Sequence, residues 1–482
     1  MTTTSSVDTV LDRIAADRDD AVQRLIDWLR IPSVSTDPAY RDDTRRACDW
    51  AADRLRESGF DVCIEETGDR KDDGTGTGHP IVLATSPGAD DYAGPHVLFY
   101  GHYDVQPADP VDLWETGPFD PVIKPAEGEV GERVVARGAC DDKGQVATFL
   151  EAVRAWKLAT GETAGGVRFT VLLEGEEESG SVNLERFVAE HKDSLAECDV
   201  CLISDTGMLG RGKPAITYGV RGLAYTEVTL HGPDQDLHSG LWGGRAPNPN
   251  NLLAQVLGQL WDDDGRVTIP GFYDDVRPLT PEERAAWAKL DFDPIAALAK
   301  IGLGAAADRG EAGFTAMERE WARPTAEING ISGGYTGEGA KTVIPAHASA
   351  KVSFRLVADQ SPDAIRDAFF AWLQERTPAG CRWDLHDHGG GHPATVGIDS
   401  PTLTAALEAL KDASGAEASL IKTGGSIPVA GLLKSGLGMD TIFMGFGLDD
   451  DRVHSPNEKF ELDCFDLGCR SHALLIDRLR AM

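Results

Sequence analysis

The chain has 482 residues, with 46 Lys or Arg against 79 Asp or Glu, a formal charge of −33. That balance excludes a phosphate-neutralising surface for nucleic acid, and 41% hydrophobic residues exclude wholesale disorder. No apolar run approaches the roughly 18 residues of a membrane span, so neither a nucleic acid nor a membrane is an expected partner. Single cores rarely grow past roughly 250–300 residues, so more than one domain is expected. The first twenty residues lack the cationic-then-apolar order of a secretory signal. A cytoplasmic protein with reduced cysteines is therefore the expectation for its eight Cys. Cys198 and Cys201 have C-x-x-C spacing but lie in an apolar strand-like run, where adjacent side chains alternate between faces. A buried structural role is expected for both.

In chain order, residues 20–30 and 44–58 carry apolar side chains at helical spacing. Val97–Tyr100, Val167–Leu173 and Val200–Ile203 are short β-rich runs. Between the first two, Lys143–Leu158 places Val146, Phe149, Leu150 and Val153 at i, i+3, i+4 and i+7, a helix with one apolar face. Strand–helix–strand order implies a parallel sheet covered by helices. Near Lys213-Pro214 the pattern changes. Ala215–Leu230 and Ala348–Leu356 read as strands with one exposed face. Ser361-Pro362 opens a helix with Ser as N-cap and Pro at its first position. The glycine run 389–391 is expected to end this α+β insert. Helix (Pro401–Ala413) and strand (Thr441–Gly445) then resume in the first style. The expected organisation is an α/β domain formed by residues 1–214 and 391–482, split by a second domain at 215–390.

Acidic and histidine clusters follow the predicted strands. His102 and Asp104 come after the first, Glu177 and Glu178 after the second, Asp205 after the third and His454 after the last. Asp141 and Asp142 lead into the Lys143 helix. In open parallel sheets ligands bind beyond the strand C-termini, so these five distant segments converge on one edge. Unpaired, that many carboxylates in a cleft repel and push their pKa values up. Two divalent cations relieve this, and His plus Asp/Glu ligands suit Zn²⁺ or Mn²⁺. Two metals ~3.5–4 Å apart share a carboxylate and a water whose pKa they lower. A spare carboxylate then serves as general base. The adjacent Glu177 and Glu178 supply one base and one ligand, and Asp104 is placed to accept the His102 imidazole N–H. Glu174 and Glu176 are expected to be solvating or local hydrogen-bond partners.

The segments GHYDVQP, WETGPFDP, RGACDDKG, LLEGEEESGS, LISDT, DLHSG, GAKTVIP, FRLV, GGSIPV and HSPNEK follow in this order from residue 101 to 459. Together they resemble the dinuclear-zinc exopeptidase family that includes carnosine dipeptidase, carboxypeptidase G, acetylornithine deacetylase and succinyl-diaminopimelate desuccinylase. The resemblance implies an α/β catalytic domain with a central mixed, mostly parallel sheet and an inserted α+β lid and dimerisation domain. It also implies that His102 and Asp205 hold one ion, Glu178 and His454 the other, and Asp141 both. Glu177 is then the general base that later protonates the leaving amine, with Asp104 supporting the site. The Asp141–Asp142 bond is expected to be cis. By the same resemblance His238 reaches across a homodimer interface to polarise the scissile carbonyl. Its plainer reading is a loop histidine capping backbone. Thr342, Arg355 and Ser426 match positions that contact the substrate, Ser426 from the catalytic domain.

Aspartate at position 205, and Asp-Lys-Gly after the bridging Asp141, favour the dipeptidase branch. The expected function is metal-dependent hydrolysis of dipeptides or short peptides, with two Zn²⁺ or Mn²⁺ ions. An N-acyl amino acid amidohydrolase and a non-catalytic peptide-binding protein are the alternatives. One departure concerns the substrate's C-terminus. Carnosine dipeptidase has a carboxylate-binding histidine near the end of the lid, where this chain reads GIDSPTL. The nearby His386, His388 and His392 do not align in register.

Overall fold

The structure, a computed structural model, describes residues 6–69, 76–290 and 292–482. Two units emerge from its internal contacts. One comprises the chain up to Tyr218 with Val396–Ile421 and Leu433–Met482, and the other Gly219–Thr395 with Lys422–Leu432.

The first unit is built on a mixed sheet. Its strands run in the order Asp61–Glu65, Ile81–Pro87, Arg168–Glu174, Val97–His102, Val200–Ile203, Asp440–Phe443 and Ala215–Val220. The four central strands, from Arg168–Glu174 to Asp440–Phe443, are mutually parallel, and the flanking joins are antiparallel. Val97–His102 and Val200–Ile203 are buried along their whole length, which is why they read as continuous apolar runs rather than alternations. Cys198 and Cys201 are buried and free.

The helix after Asp142 spans Lys143–Thr160 and ends at Gly161, whose φ of +82° suits a left-handed cap. Sequence spacing assigns it a single apolar face, yet 13 of its 18 residues are buried. The reason is its position: Ser6–Ala16, Arg18–Leu29 and Leu462–Arg480 all pack on it. Phe149 stacks on Phe99 of the sheet, with ring centroids 3.8 Å apart. On another side, Trp156 Nε1 donates to the Ala473 carbonyl at 3.1 Å.

The second unit is an antiparallel four-stranded sheet in the order Thr325–Gly333, His347–Leu356, Gly222–His231, Arg382–Gly391. Burial alternates strictly along Gly222–His231. Its inward side chains Ala224, Val228 and Leu230 join Val352, Phe354, Phe369 and Trp372 in one core. Ser361 caps the helix Pro362–Glu375 by accepting the Ala364 N–H at 3.4 Å. The run 215–230 is not one strand type. Ala215–Val220 is buried throughout, Gly222–His231 alternates, and the change falls at Arg221. The glycine run forms the end of the last strand of this sheet. Gly390 and Gly391 pair with Ala224 and Leu223 past a register shift after Asp387. At Gly390 a Cβ would collide with the Leu223 carbonyl oxygen, so close strand approach, rather than a turn, requires glycine there.

Candidate metal centre

The parallel strands of the first unit deliver their C-terminal residues to one place. His102 is the last residue of Val97–His102, fully buried. Its Nδ1 lies 3.1 Å from the Asp104 carbonyl and 3.4 Å from the Asp104 carboxylate. Donating there places the lone pair on Nε2, which faces Asp141 Oδ1 at 3.1 Å and Asp205 Oδ2 at 3.8 Å. The other Asp141 oxygen lies 2.9 Å from His454 Nε2, and that nitrogen is 3.3 Å from Glu178 Oε2. The structure therefore contains two donor groups, His102–Asp141–Asp205 and Asp141–Glu178–His454. Within each group the ligand atoms lie within 4.8 Å of one another, and Asp141 is common to both. The Asp141–Asp142 peptide bond is cis. His454 holds a left-handed backbone with φ of +60°, and its side chain is half-exposed.

Asp104 does more than face the imidazole. Its carboxylate accepts the backbone N–H groups of Glu177 at 3.3 Å and Glu178 at 3.0 Å, holding the turn after Arg168–Glu174. Gln106 Nε2 donates to Glu178 Oε2 at 2.7 Å and orients the carboxylate. Glu174 and Glu176 are buried local partners. Tyr100 and Ser181 donate to Glu174, while the His79 backbone N–H and Asn183 donate to Glu176.

Charge in this pocket is poorly compensated by the protein alone. Burial, then the neighbouring Asp141, pushes the Asp205 carboxyl well up; burial and Asp205 do the same to Asp142. Glu177 is pushed up to about 7 by burial, with Glu178 and Asp141 adding to the effect and His102 opposing it. Burial also opposes the Asp141 charge, but the His102 and His454 imidazoles hold its carboxyl below the usual range. The His454 imidazole is raised to about 10 by Asp141 and Glu178. Nitrogen and carboxylate donors crowded in this way fit a pair of borderline divalent cations, whose charge offsets the repulsion.

The lid-type residues all lie in the second unit. His238 is exposed, and its Nδ1 accepts the Gly240 N–H at 3.0 Å as the N-cap of Ser239–Trp242. The neutral ring then carries its proton on Nε2. Capping backbone and presenting an outward donor are thus one arrangement. Thr342 is exposed, and its carbonyl accepts the Ser239 N–H at 3.1 Å, beside the two-stranded ladder of Leu237–His238 with Val343–Ile344. Arg355 belongs instead to the four-stranded sheet, and its Nη1 donates to Ser426 Oγ at 2.8 Å. Ser426, which sequence order assigns to the first unit, packs with the second through this contact. His388 pairs with Glu227 at 3.0 Å and His386 stacks against it edge-on. Among the described residues neither histidine belongs to a group that could hold a metal.

Sequence reasoning assigned no role to Glu458. This fully buried carboxylate takes Arg137 Nη1 at 2.8 Å and the Gly138 N–H at 3.0 Å on one oxygen. Its other oxygen takes the N–H groups of Cys140 at 2.9 Å and Asp141 at 3.1 Å. It therefore holds the loop that carries the shared carboxylate. Its only sequence signal was its place in the same loop as His454.

The peptidase family M20/M25/M40 matches residues 98–478. The Cys-Gly metallodipeptidase DUG1 of Candida albicans is 34% identical, covering 93% of this chain and 92% of its own length. The human Beta-Ala-His dipeptidase is 33% identical, covering 93% of this chain and 88% of its own. Among solved structures, the di-peptidase Dug1p of Saccharomyces cerevisiae superposes with a TM-score of 0.78 at 31% identity, covering 99% of each chain.

Proposed function

Because the chain belongs to the M20/M25/M40 peptidase family and is a metallopeptidase, we propose that it hydrolyses the peptide bond of dipeptides. In this reading it works in the cytoplasm as a homodimer, with two Zn²⁺ or Mn²⁺ ions per chain. The observation that carries this is the pair of donor groups sharing Asp141, with Glu177 beside them. His102 and Asp205 would hold one ion, Glu178 and His454 the other, and Asp141 both. When bound, the ions supply positive charge and Lewis acidity that bring a water within reach of deprotonation near neutral pH.

The remaining chemistry belongs to the chain. Glu177, buried and raised toward neutrality, takes a proton from the attacking water and returns it to the leaving amine. Asp104 positions it by accepting its backbone N–H. His238, its Nδ1 committed to Gly240, offers Nε2–H to the carbonyl oxygen as negative charge develops there. Arg355, aligned by Ser426, pairs with the substrate's terminal carboxylate, and Thr342 contacts its backbone.

The test is a panel of dipeptides against N-acetyl and N-succinyl amino acids, with and without a chelator. Dipeptide cleavage that stops on chelation and returns with Zn²⁺ or Mn²⁺ is expected. Preferential cleavage of acylated amino acids would mark an amidohydrolase, and activity surviving complete metal removal would refute the mechanism. Mixing Glu177→Gln with His238→Ala protomers tests the dimer. Random reassortment of a two-fold dimer leaves one working site in each mixed pair, about a quarter of wild-type activity. No rescue would assign His238 to its own chain's site.

A further inference from the structure

The second unit contains a cavity of about 830 Å³ in which arginines are treated in two ways. Arg323 is bound to Glu311 by two hydrogen bonds of 2.6 and 2.9 Å, and Arg319 to Asp308 by two of 2.8 Å. Arg221 and Arg355 line the same cavity, and among the described residues neither has a carboxylate in ion-pair contact. Both are anchored to one short loop. Arg221 Nε donates to the Gly424 carbonyl at 2.9 Å, and its backbone N–H to the Gly425 carbonyl at 3.0 Å. Two residues from the first anchor, Ser426 Oγ receives Arg355 Nη1. Among the described residues the Arg221 terminal nitrogens have no hydrogen bond.

Two half-buried guanidiniums close enough to repel are a costly arrangement unless an anion completes it. Burial and the like charge of Arg355 pull Arg221 down to about 10. Glu320 and Glu327 line the cavity, as do Asp262, Asp263 and Asp264, and the first two partly offset the Arg221 charge without an ion pair to it among the described residues. In a chain with 79 acidic residues against 46 basic ones, pairing both arginines internally was readily available. A single carboxylate on Arg355 would still leave Arg221 unmatched, whereas two carboxylates on one substrate residue balance both. The separate anchors leave each arginine its own bidentate donor face.

We propose that Arg221 is a specificity-determining residue that receives the side-chain carboxylate of the substrate's C-terminal residue, making dipeptides ending in Asp or Glu the preferred class. This rests on the assignment of Arg355 to the terminal carboxylate. It also addresses the departure noted in the sequence, since the cation added here is an arginine from the strand junction.

The test compares kcat/KM for Ala-Asp with Ala-Asn, and for Ala-Glu with Ala-Gln, in the metal-loaded wild type and in Arg221→Met. Acid should be preferred over its amide isostere by about tenfold or more in the wild type, and the ratio should collapse toward one in the variant. A wild-type ratio of one, or a ratio unchanged in Arg221→Met, overturns the proposal. Should Arg221→Met fail to fold, calorimetric binding of L-aspartate and L-asparagine to the wild type decides. Tighter aspartate binding supports the site and equal binding overturns it. If the wild type cleaves none of the four dipeptides, the dipeptidase reading fails instead, and the same calorimetry judges the Arg221 site alone.

Discussion

The two units present opposite electrostatic problems. In the first, Asp141, Asp142, Glu177, Glu178 and Asp205 crowd around two imidazoles, and most of the charge that balances them must come from outside the chain. In the second, Arg221 and Arg355 line one cavity, and among the described residues neither is in an ion pair. One pocket concentrates carboxylates around imidazoles, and the other leaves two arginines without an ion pair among the described residues. Net charge said nothing of this division. At −33 the chain as a whole could ion-pair Arg221 and Arg355 many times over, yet among the described residues neither has such a partner.

The contrast can be broken most severely at Glu177. On the proposed role of Glu177, Glu177→Gln should lower kcat by about 10²–10⁴-fold while elemental analysis still finds two metals per chain, because the side chain belongs to neither donor group. A metal-depleted variant would instead make it a ligand. Next in size is Glu458. Glu458→Ala strands the buried Arg137 and frees the Asp141 loop, so chemical denaturation should show a loss of about 3–5 kcal/mol, accompanied by weaker metal retention on dialysis. Stability lost with metal affinity unchanged would separate the loop from the centre.

The smallest effect concerns His472, which is buried against Phe99, Phe149 and Phe446 with Nε2 3.1 Å from Ser204 Oγ and Nδ1 without a hydrogen-bond partner among the described residues. Burial lowers its pKa from 6.5 to about 3. Between those values the unfolded chain carries the proton and the folded one does not. Its contribution is therefore fully present above pH 6.5 and is lost as pH falls toward 3. By pH 5 the loss amounts to about 2 kcal/mol. His472→Gln should flatten the stability profile between pH 6.5 and 4, and an unchanged slope would assign the acid sensitivity to the carboxylates instead.

Much of this was legible in the sequence because the four central strands of the sheet are parallel and largely buried. Its strands announce themselves as apolar runs, and a parallel sheet sends every C-terminal residue to one edge, so His102, Glu177, Glu178 and Asp205 could be grouped before any coordinates. Other elements were not legible. Gly390 read as a terminator because glycine has the same letter in a turn and in a closely approached strand. Arg221 read as one more residue of a strand because the chain changes units there without changing composition. Glu458 went unassigned, since nothing local to residue 458 records that four donors converge on it.

The sequence by itself determined the helical and strand periodicities, and which acidic and histidine residues follow the strands and in what order along the chain, because these depend on side-chain chemistry and local spacing. Only the tertiary structure decided which oxygen of Asp141 faces which histidine, that Glu458 holds the loop beneath it, and that Arg221 and Arg355 are anchored to one loop. Those are relations between residues tens to hundreds of positions apart, and burial, which sets their electrostatic strength, exists only once the chain has closed around them.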